Sequence, residues 1–325
     1  MVKIVYVVVS SEKDFYLEQF VISSYSLRLR NPSFHITLVT DEDTARMIDN
    51  KKPYVRDYYD ERLEIKCPAN YDNLRKSRYI KTSLRSHLEG DFLFIDTDTA
   101  IARPLGDIDG FKGDVYAVPD KHLRISEHQG QEILMNDAKI AGFTLTPDDY
   151  YLNSGVMLVR DTETARKLYE EWHKTWLNNI EKGLLRDQPA LARADETMGH
   201  LIKLLPHEWN CQVVENGLKY LQNAYIIHYF ASNKNKLKRI NPYLLHDNAY
   251  YEMVRKKRGV PEEIKKICES PQTAFRDNCR IVSGVEAEFL FNNPLITIKM
   301  SYPKIYNIII KTVDYLYSLR KKFGC

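Results

Sequence analysis

The stretch Phe92-Leu93-Phe94-Ile95-Asp96-Thr97-Asp98 decides how this chain is read: four apolar residues, as in a buried strand, run directly into two acids. Acids at i and i+2 of extended backbone share a face and can reach one cation. Hard oxygen ligands suit Mg²⁺ or Mn²⁺, ions that keep coordination positions open for substrate phosphates. The competing reading is a turn cap, since aspartates favour turns. The apolar run before the acids and the Thr99-Ala100-Ile101-Ala102 run after them favour the carboxyl end of a sheet strand, where α/β sheets bind their ligands.

The surrounding pattern agrees. Residues 4–9 form a β-branched and aromatic run, as expected of a strand buried on both faces, and Ser10 and Ser11 end it. Helical spacing of Phe15, Leu17, Phe20, Val21, Tyr25 and Leu27 predicts a helix over 14–30, stopped by Asn31-Pro32, with a second strand over 34–39. This has the length of a βαβ crossover. A helix over 74–88 then leads into the acidic strand, and further strands are expected at 115–118, 156–159 and 226–229, with a helix over 162–179. The fold class that follows is α/β, with a Rossmann-like, mostly parallel central sheet flanked by helices. Residues 1–240 form the nucleotide-binding catalytic domain in this reading. Residues 241–325 form a helical, basic and aromatic extension.

Bulk properties exclude several classes. With 47 basic against 44 acidic residues there is no field to mark a nucleic-acid binder. Five scattered cysteines without a C-x-x-C pair suit a reducing, cytoplasmic setting. The N-terminus is expected to be a strand and not a signal peptide, and no stretch is apolar for long enough to span a bilayer.

Four ordered motifs give the chain a resemblance to the GT-A type glycosyltransferases, and among them to the family-8 retaining enzymes. Phe92 to Asp98 is similar to the family's hydrophobic strand plus D-x-D. Tyr151-Leu152-Asn153-Ser154-Gly155-Val156-Met157-Leu158 resembles its F-N-S-G-V-x-L element, Asp187-Gln188-Pro189-Ala190-Leu191 its D-Q-x-x-L, and Ile226-Ile227-His228-Tyr229-Phe230 followed by Lys234 its closing I-x-H-[FY]…K. The resemblance covers about residues 1–240 and implies transfer of a hexose from a nucleotide sugar, with UDP the expected nucleotide and Mn²⁺ or Mg²⁺ the cofactor. The acceptor it implies is a glycan or a lipid-linked sugar, as in lipopolysaccharide synthesis.

Roles follow residue by residue. The resemblance implies Asp96, Asp98 and His228 as metal ligands, with Lys234 meeting the diphosphate as a point charge. It has Asp187 bind donor sugar hydroxyls and Gln188 lie beneath the anomeric carbon, with retention of configuration. An N-cap role competes for both, because Pro189 favours the start of a helix there. Val8, Val9, Ser10, Lys81, Thr97, Asn153 and Ser154 complete the expected donor site. Lys81 stands where the family often has an arginine, and it lacks the planar fork. Asn153-Ser154-Gly155 suits sugar hydroxyls, or else is an ordinary turn before a strand. The sequence past residue 298 mixes Ile308, Ile309, Tyr315 and Leu316 with Lys304, Lys311 and Arg320, which suits a helix on a membrane surface, peripheral to its inner face, or one docked on the catalytic domain. Two other classes compete: a nucleotidyltransferase, whose Gly-rich loop residues 10–20 lack, and a non-catalytic carbohydrate-binding protein of the same fold.

Overall fold

The computed structural model describes residues 2–231, 242–276 and 293–323. Among the described residues, ten strands form two sheets. The first four of the larger sheet are β1 (Lys3–Val8), β2 (Ile36–Thr40), β3 (Glu61–Glu64) and β4 (Phe92–Ile95). After β5 (Thr99–Ile101) come β6 (Val115–Arg124), β7 (Tyr150–Val159) and β8 (Lys203–Leu204), then β9 (Cys211–Gln212) and β10 (Ile226–His228). The larger sheet has the order β3-β2-β1-β4-β7-β6-β8, and β5-β10-β9 form the smaller one. β1 runs parallel to both β2 (Ile4 opposite Ile36) and β4 (Ile4 opposite Leu93). Only β7 runs against its neighbours β4 and β6. The sheet is therefore mostly parallel, as the apolar runs predict.

Alternation along β1 divides the core. Ile4, Tyr6 and Val8 face a layer that includes α1 (Tyr16–Arg30) and the small sheet. Val5 and Val9 face α3 (Asn73–Ser83), α5 (Glu163–Glu181) and α6 (Gln188–Thr197), where Trp172 and Trp176 are fully buried; α2 (Glu42–Asn50) adds Met47 and Ile48 to the first layer, and α4 (Gln131–Ala141) packs beside α6. Chain order reverses between β1 and β4, so the crevice beyond their carboxyl ends is the topological switch point at which such sheets bind ligands.

Several expectations need correction. Asn153-Ser154-Gly155 does not precede a strand: β7 starts at Tyr150, and all three lie within it. Polar residues here follow partners on both sides of the strand, and tertiary context overrides their turn preference. The α1 helix starts two residues late because Asp14 spends its carboxylate on Ser10 Oγ (2.5 Å) and Ser11 N (2.7 Å).

The boundary expected at 240/241 falls within residues outside the described ones. Beyond it, α7 (Asn248–Lys257) and α8 (Glu262–Glu269) bury Tyr251, Val254, Ile264 and Cys268 in the same core as β1 and α1. Two further helices follow, α9 (Asn293–Ser301) and α10 (Pro303–Phe323), the second opening on a proline. Among the described residues no helix is long and apolar enough to cross a membrane.

Candidate active site

β4 ends at Ile95, and the next residue is held by the neighbouring strand: Asp96 N donates to Gly155 O (2.7 Å). Asp98 leads into β5, and its carbonyl accepts from Tyr229 N (3.0 Å), one residue past β10. These two pairings bring strand ends far apart in sequence to one corner. One ligand atom from each of Asp96, Asp98 and His228 lies within 4.8 Å of the others.

A hydrogen-bond chain fixes the imidazole. Gly155 N can only donate, and it donates to Asn153 Oδ1 (2.9 Å), which also accepts from Asn210 Nδ2 (2.9 Å). Asn210 therefore turns its oxygen to His228 Nδ1 (3.1 Å), so that Nδ1 carries the hydrogen and Nε2 faces Asp98 Oδ1 at 3.2 Å. Burial disfavours the His228 cation, but the Asp98 carboxylate overrides it and raises the pKa above the ordinary histidine value. Burial also raises the Asp96 carboxyl against the lowering pull of Lys81 and His228, and the neighbouring Asp98 charge adds to the rise. Two oxygens and an imidazole nitrogen in one corner suit a hard or borderline divalent cation, so the donor set fits the metal that the resemblance implies.

Gly155 makes room for the corner. A Cβ there would lie 2.5 Å from His228 Cε1, 2.8 Å from Asp96 Oδ2 and 2.9 Å from Asn153 Oδ1.

On the opposite side of Asp96 lies a partly buried charge cluster. Lys81 Nζ stands 3.3 Å from Asp96 Oδ1 and 3.4 Å from Asp187 Oδ2, while Arg78 Nε is 3.0 Å from Asp187 Oδ1. Ser154 Oγ donates to Asp187 at 2.7 Å. Burial would raise the Asp187 carboxyl, but the Lys81 and Arg78 cations and the Ser154 hydroxyl hold it well below the usual carboxylate range. Asp187 does occupy the N-cap position of α6, yet its side chain makes no capping bond. Gln188 donates from Nε2 to Leu152 O (2.9 Å) and Asp120 Oδ1 (3.4 Å).

A cleft with a volume of about 170 Å³ opens beside these groups, lined among others by Val8, Val9, Tyr16, Gln19, Arg78 and Thr97. Thr97 donates from Oγ1 to Gln19 Oε1 (3.1 Å). Ser10, expected in the donor site, gives its hydroxyl to Asp14. Lys81 is buried between the two aspartates. Lys234 lies outside the described residues. Sequence reasoning missed Arg78, one turn before Lys81 on the same face of α3, and the polar links Asn210 and Asp120. The i, i+3 spacing of Arg78 and Lys81 was the one available signal.

No curated protein matches the chain by sequence. The fold is similar to that of the galactosyltransferase LgtC in complex with donor and acceptor sugar analogues, at 13% identity over 81% of this chain and 99% of that one, with a TM-score of 0.54. It is also similar to the glycosyltransferase GlyE of Streptococcus pneumoniae TIGR4, at 13% identity over 86% of this chain and 67% of that one, with a TM-score of 0.50. The model of one family, the nucleotide-diphospho-sugar transferases, matches residues 36–259, more than half of the chain. The chain thus belongs to the nucleotide-diphospho-sugar transferase family and is a glycosyltransferase.

Proposed function

We propose that this enzyme moves a hexose from a UDP-sugar to a glycan or lipid-linked acceptor with retention of anomeric configuration, using Mn²⁺ or Mg²⁺ held by Asp96, Asp98 and His228. The observation that carries this reading is the convergence of those three side chains beside the cleft at the switch point. When bound, the metal neutralises the diphosphate leaving group. The protein does the rest. Asp187, kept ionised by Lys81 and Arg78, accepts hydrogen bonds from donor sugar hydroxyls. Leu152 O and the Asp120 carboxylate take up the amide nitrogen of Gln188, which commits its Oε1 to the substrate side. A carbonyl oxygen there opposes the positive charge that develops at the anomeric carbon. Val8, Val9 and Thr97 bound the nucleotide, with Asn153 and Ser154 supporting the sugar end, and the family motif gives Lys234 to the diphosphate.

The test is thermal unfolding against a panel of nucleoside diphosphates and nucleotide sugars, with and without Mn²⁺. A ligand that binds only the folded state stabilises it by about 2.7 kcal/mol at a hundredfold excess over Kd. A Mn²⁺-dependent rise with UDP or one UDP-sugar is expected. A flat response to every nucleotide would return the chain to a binding protein that kept the fold alone.

The tail extends the same proposal to a lipid-linked acceptor. α10 exposes Ile305, Ile308, Val313, Tyr315 and Leu316 together with Lys304 and Lys311, a composition that binds an anionic membrane surface. Removal of the residues after 285 should abolish sedimentation with phosphatidylglycerol-containing vesicles. Undiminished sedimentation rules the membrane contact out.

A further inference from the structure

Glu18 carries more positive charge around it than it needs. It is fully buried on α1, and its carboxylate meets Lys52 Nζ at 2.6 Å, Tyr54 OH at 3.2 Å and the guanidinium of Arg255 on α7, with Nε and Nη2 at 2.9 and 3.0 Å. One buried lysine already balances one carboxylate, so the second cation calls for another explanation.

The remaining contacts of Arg255 supply it. Its Nη1 donates to the carbonyl of Glu12 (3.1 Å), and Nη2 donates to that of Asp14. Its guanidinium carbon sits 4.3 Å from the centroid of the Phe15 ring, which packs in turn on Tyr251 of α7 at 5.7 Å. All three partners belong to the turn between β1 and α1. Asp14 ties that turn internally to Ser10 and Ser11, and directly after it come Tyr16 and Gln19, which line the cleft. Gln19 in turn receives the Thr97 hydroxyl from between the two acids of the metal corner.

We propose that Arg255 is a positioning residue for the donor site: Glu18 anchors it, and its fork holds the turn over residues 12–15 in the shape that binds the nucleotide. A helix from beyond the glycosyltransferase motifs thereby sets the affinity for the donor without touching it. This rests on the nucleotide-sugar reading above. Two features of the side chain matter separately. The charge satisfies Glu18, a task Lys52 shares. The planar fork reaches two backbone carbonyls at once, which no other residue of the cluster does and which a lysine cannot reproduce.

The experiment is UDP titration by calorimetry in the presence of Mn²⁺, paired with donor kinetics, on the full chain and three variants. If releasing the turn leaves it competent about a tenth of the time, apparent affinity falls about tenfold. Arg255→Gln should therefore raise the UDP Kd and the donor KM about tenfold with kcat within about twofold. Arg255→Lys keeps the charge beside Glu18, is the milder change for folding, and should still weaken UDP severalfold. Lys52→Met removes the other cation and leaves the fork in place, so its UDP affinity should stay within about twofold of the parent. Wild-type affinity in Arg255→Lys and Arg255→Gln overturns the proposal, and so does a loss in Lys52→Met as large as that in Arg255→Gln, because the effect would then belong to the charge balance of Glu18. Absence of UDP binding by the parent chain is a different failure, that of the nucleotide-sugar reading itself.

Discussion

Replacing Asp98 by asparagine is expected to lower turnover of a UDP-sugar by about a thousandfold, the scale set by loss of a major electrostatic stabiliser of a charged transition state. The melting temperature at pH 8 should stay within about 2 °C of the parent. The two expectations separate because asparagine has the shape of aspartate and its amide can donate to the neutral Nε2 of His228, so the packing of a buried corner survives the change. The change also relieves a repulsion, since the Asp98 charge is among the causes that push the Asp96 carboxyl upward. What disappears is one of the two anionic groups proposed to hold the metal.

Stability should respond to pH in a defined direction when measured in EDTA. The His228 pKa is raised above 6.5 in the folded protein because Asp98 outweighs burial. A raised folded value contributes stability that is fully present below the unfolded value and is lost as pH rises through the folded one. The deficit of Asp98→Asn should therefore be complete below about pH 6.5 and close as pH rises through the raised folded value of His228. Full Mn²⁺-dependent turnover in the variant rejects Asp98 as a ligand. Collapse of the fold at pH 8 assigns the Asp-Thr-Asp segment to structure alone.

The ease of reading different parts of this chain tracks the range of the forces that place them. β1, β2 and β4 announce themselves because strands buried on both faces need continuous apolar runs, and local composition suffices to find them. The acids after Ile95 inherit their position from the strand before them. Asn153, Ser154 and Gly155 look like a turn because residue preference is local, whereas their place within β7 depends on β4 and β6 from elsewhere in the chain. Arg78 has the appearance of a surface charge on a polar helix, and only the fold brings Asp187 to it. Asn210, in a short 3₁₀ turn, gives no signal at all, although it fixes the tautomer of His228. Motifs pick out the groups that would touch substrate or metal. The groups that orient them come from pairings over 18 to 57 residues and need the structure.

Gly155→Ala should remove activity as completely as loss of a ligand, from a position that offers no ligand. The added methyl would stand 2.5 Å from His228 Cε1 and 2.8 Å from Asp96 Oδ2, closer than van der Waals contact allows. Relief by backbone movement is blocked, because Gly155 O accepts from Asp96 N and its N–H is taken by Asn153 Oδ1, with the next residue, Val156, paired to β4. Relief by His228 is blocked as well, since the ring is buried and its Nδ1 is held by Asn210. The yielding group is Asp96, the least buried of the three, whose side chain must swing out of the corner. Overpacking of this kind costs about 1–3 kcal/mol, so the protein should remain folded with a melting temperature lower by several degrees. Displacement of one ligand should weaken Mn²⁺ by at least about a hundredfold, on the scale of losses seen when the support of a ligand is removed. Calorimetric titration of Mn²⁺ into the UDP complex reads this directly. A folded Gly155→Ala variant that binds Mn²⁺ as tightly as the parent would show that the ion does not sit among Asp96, Asp98 and His228.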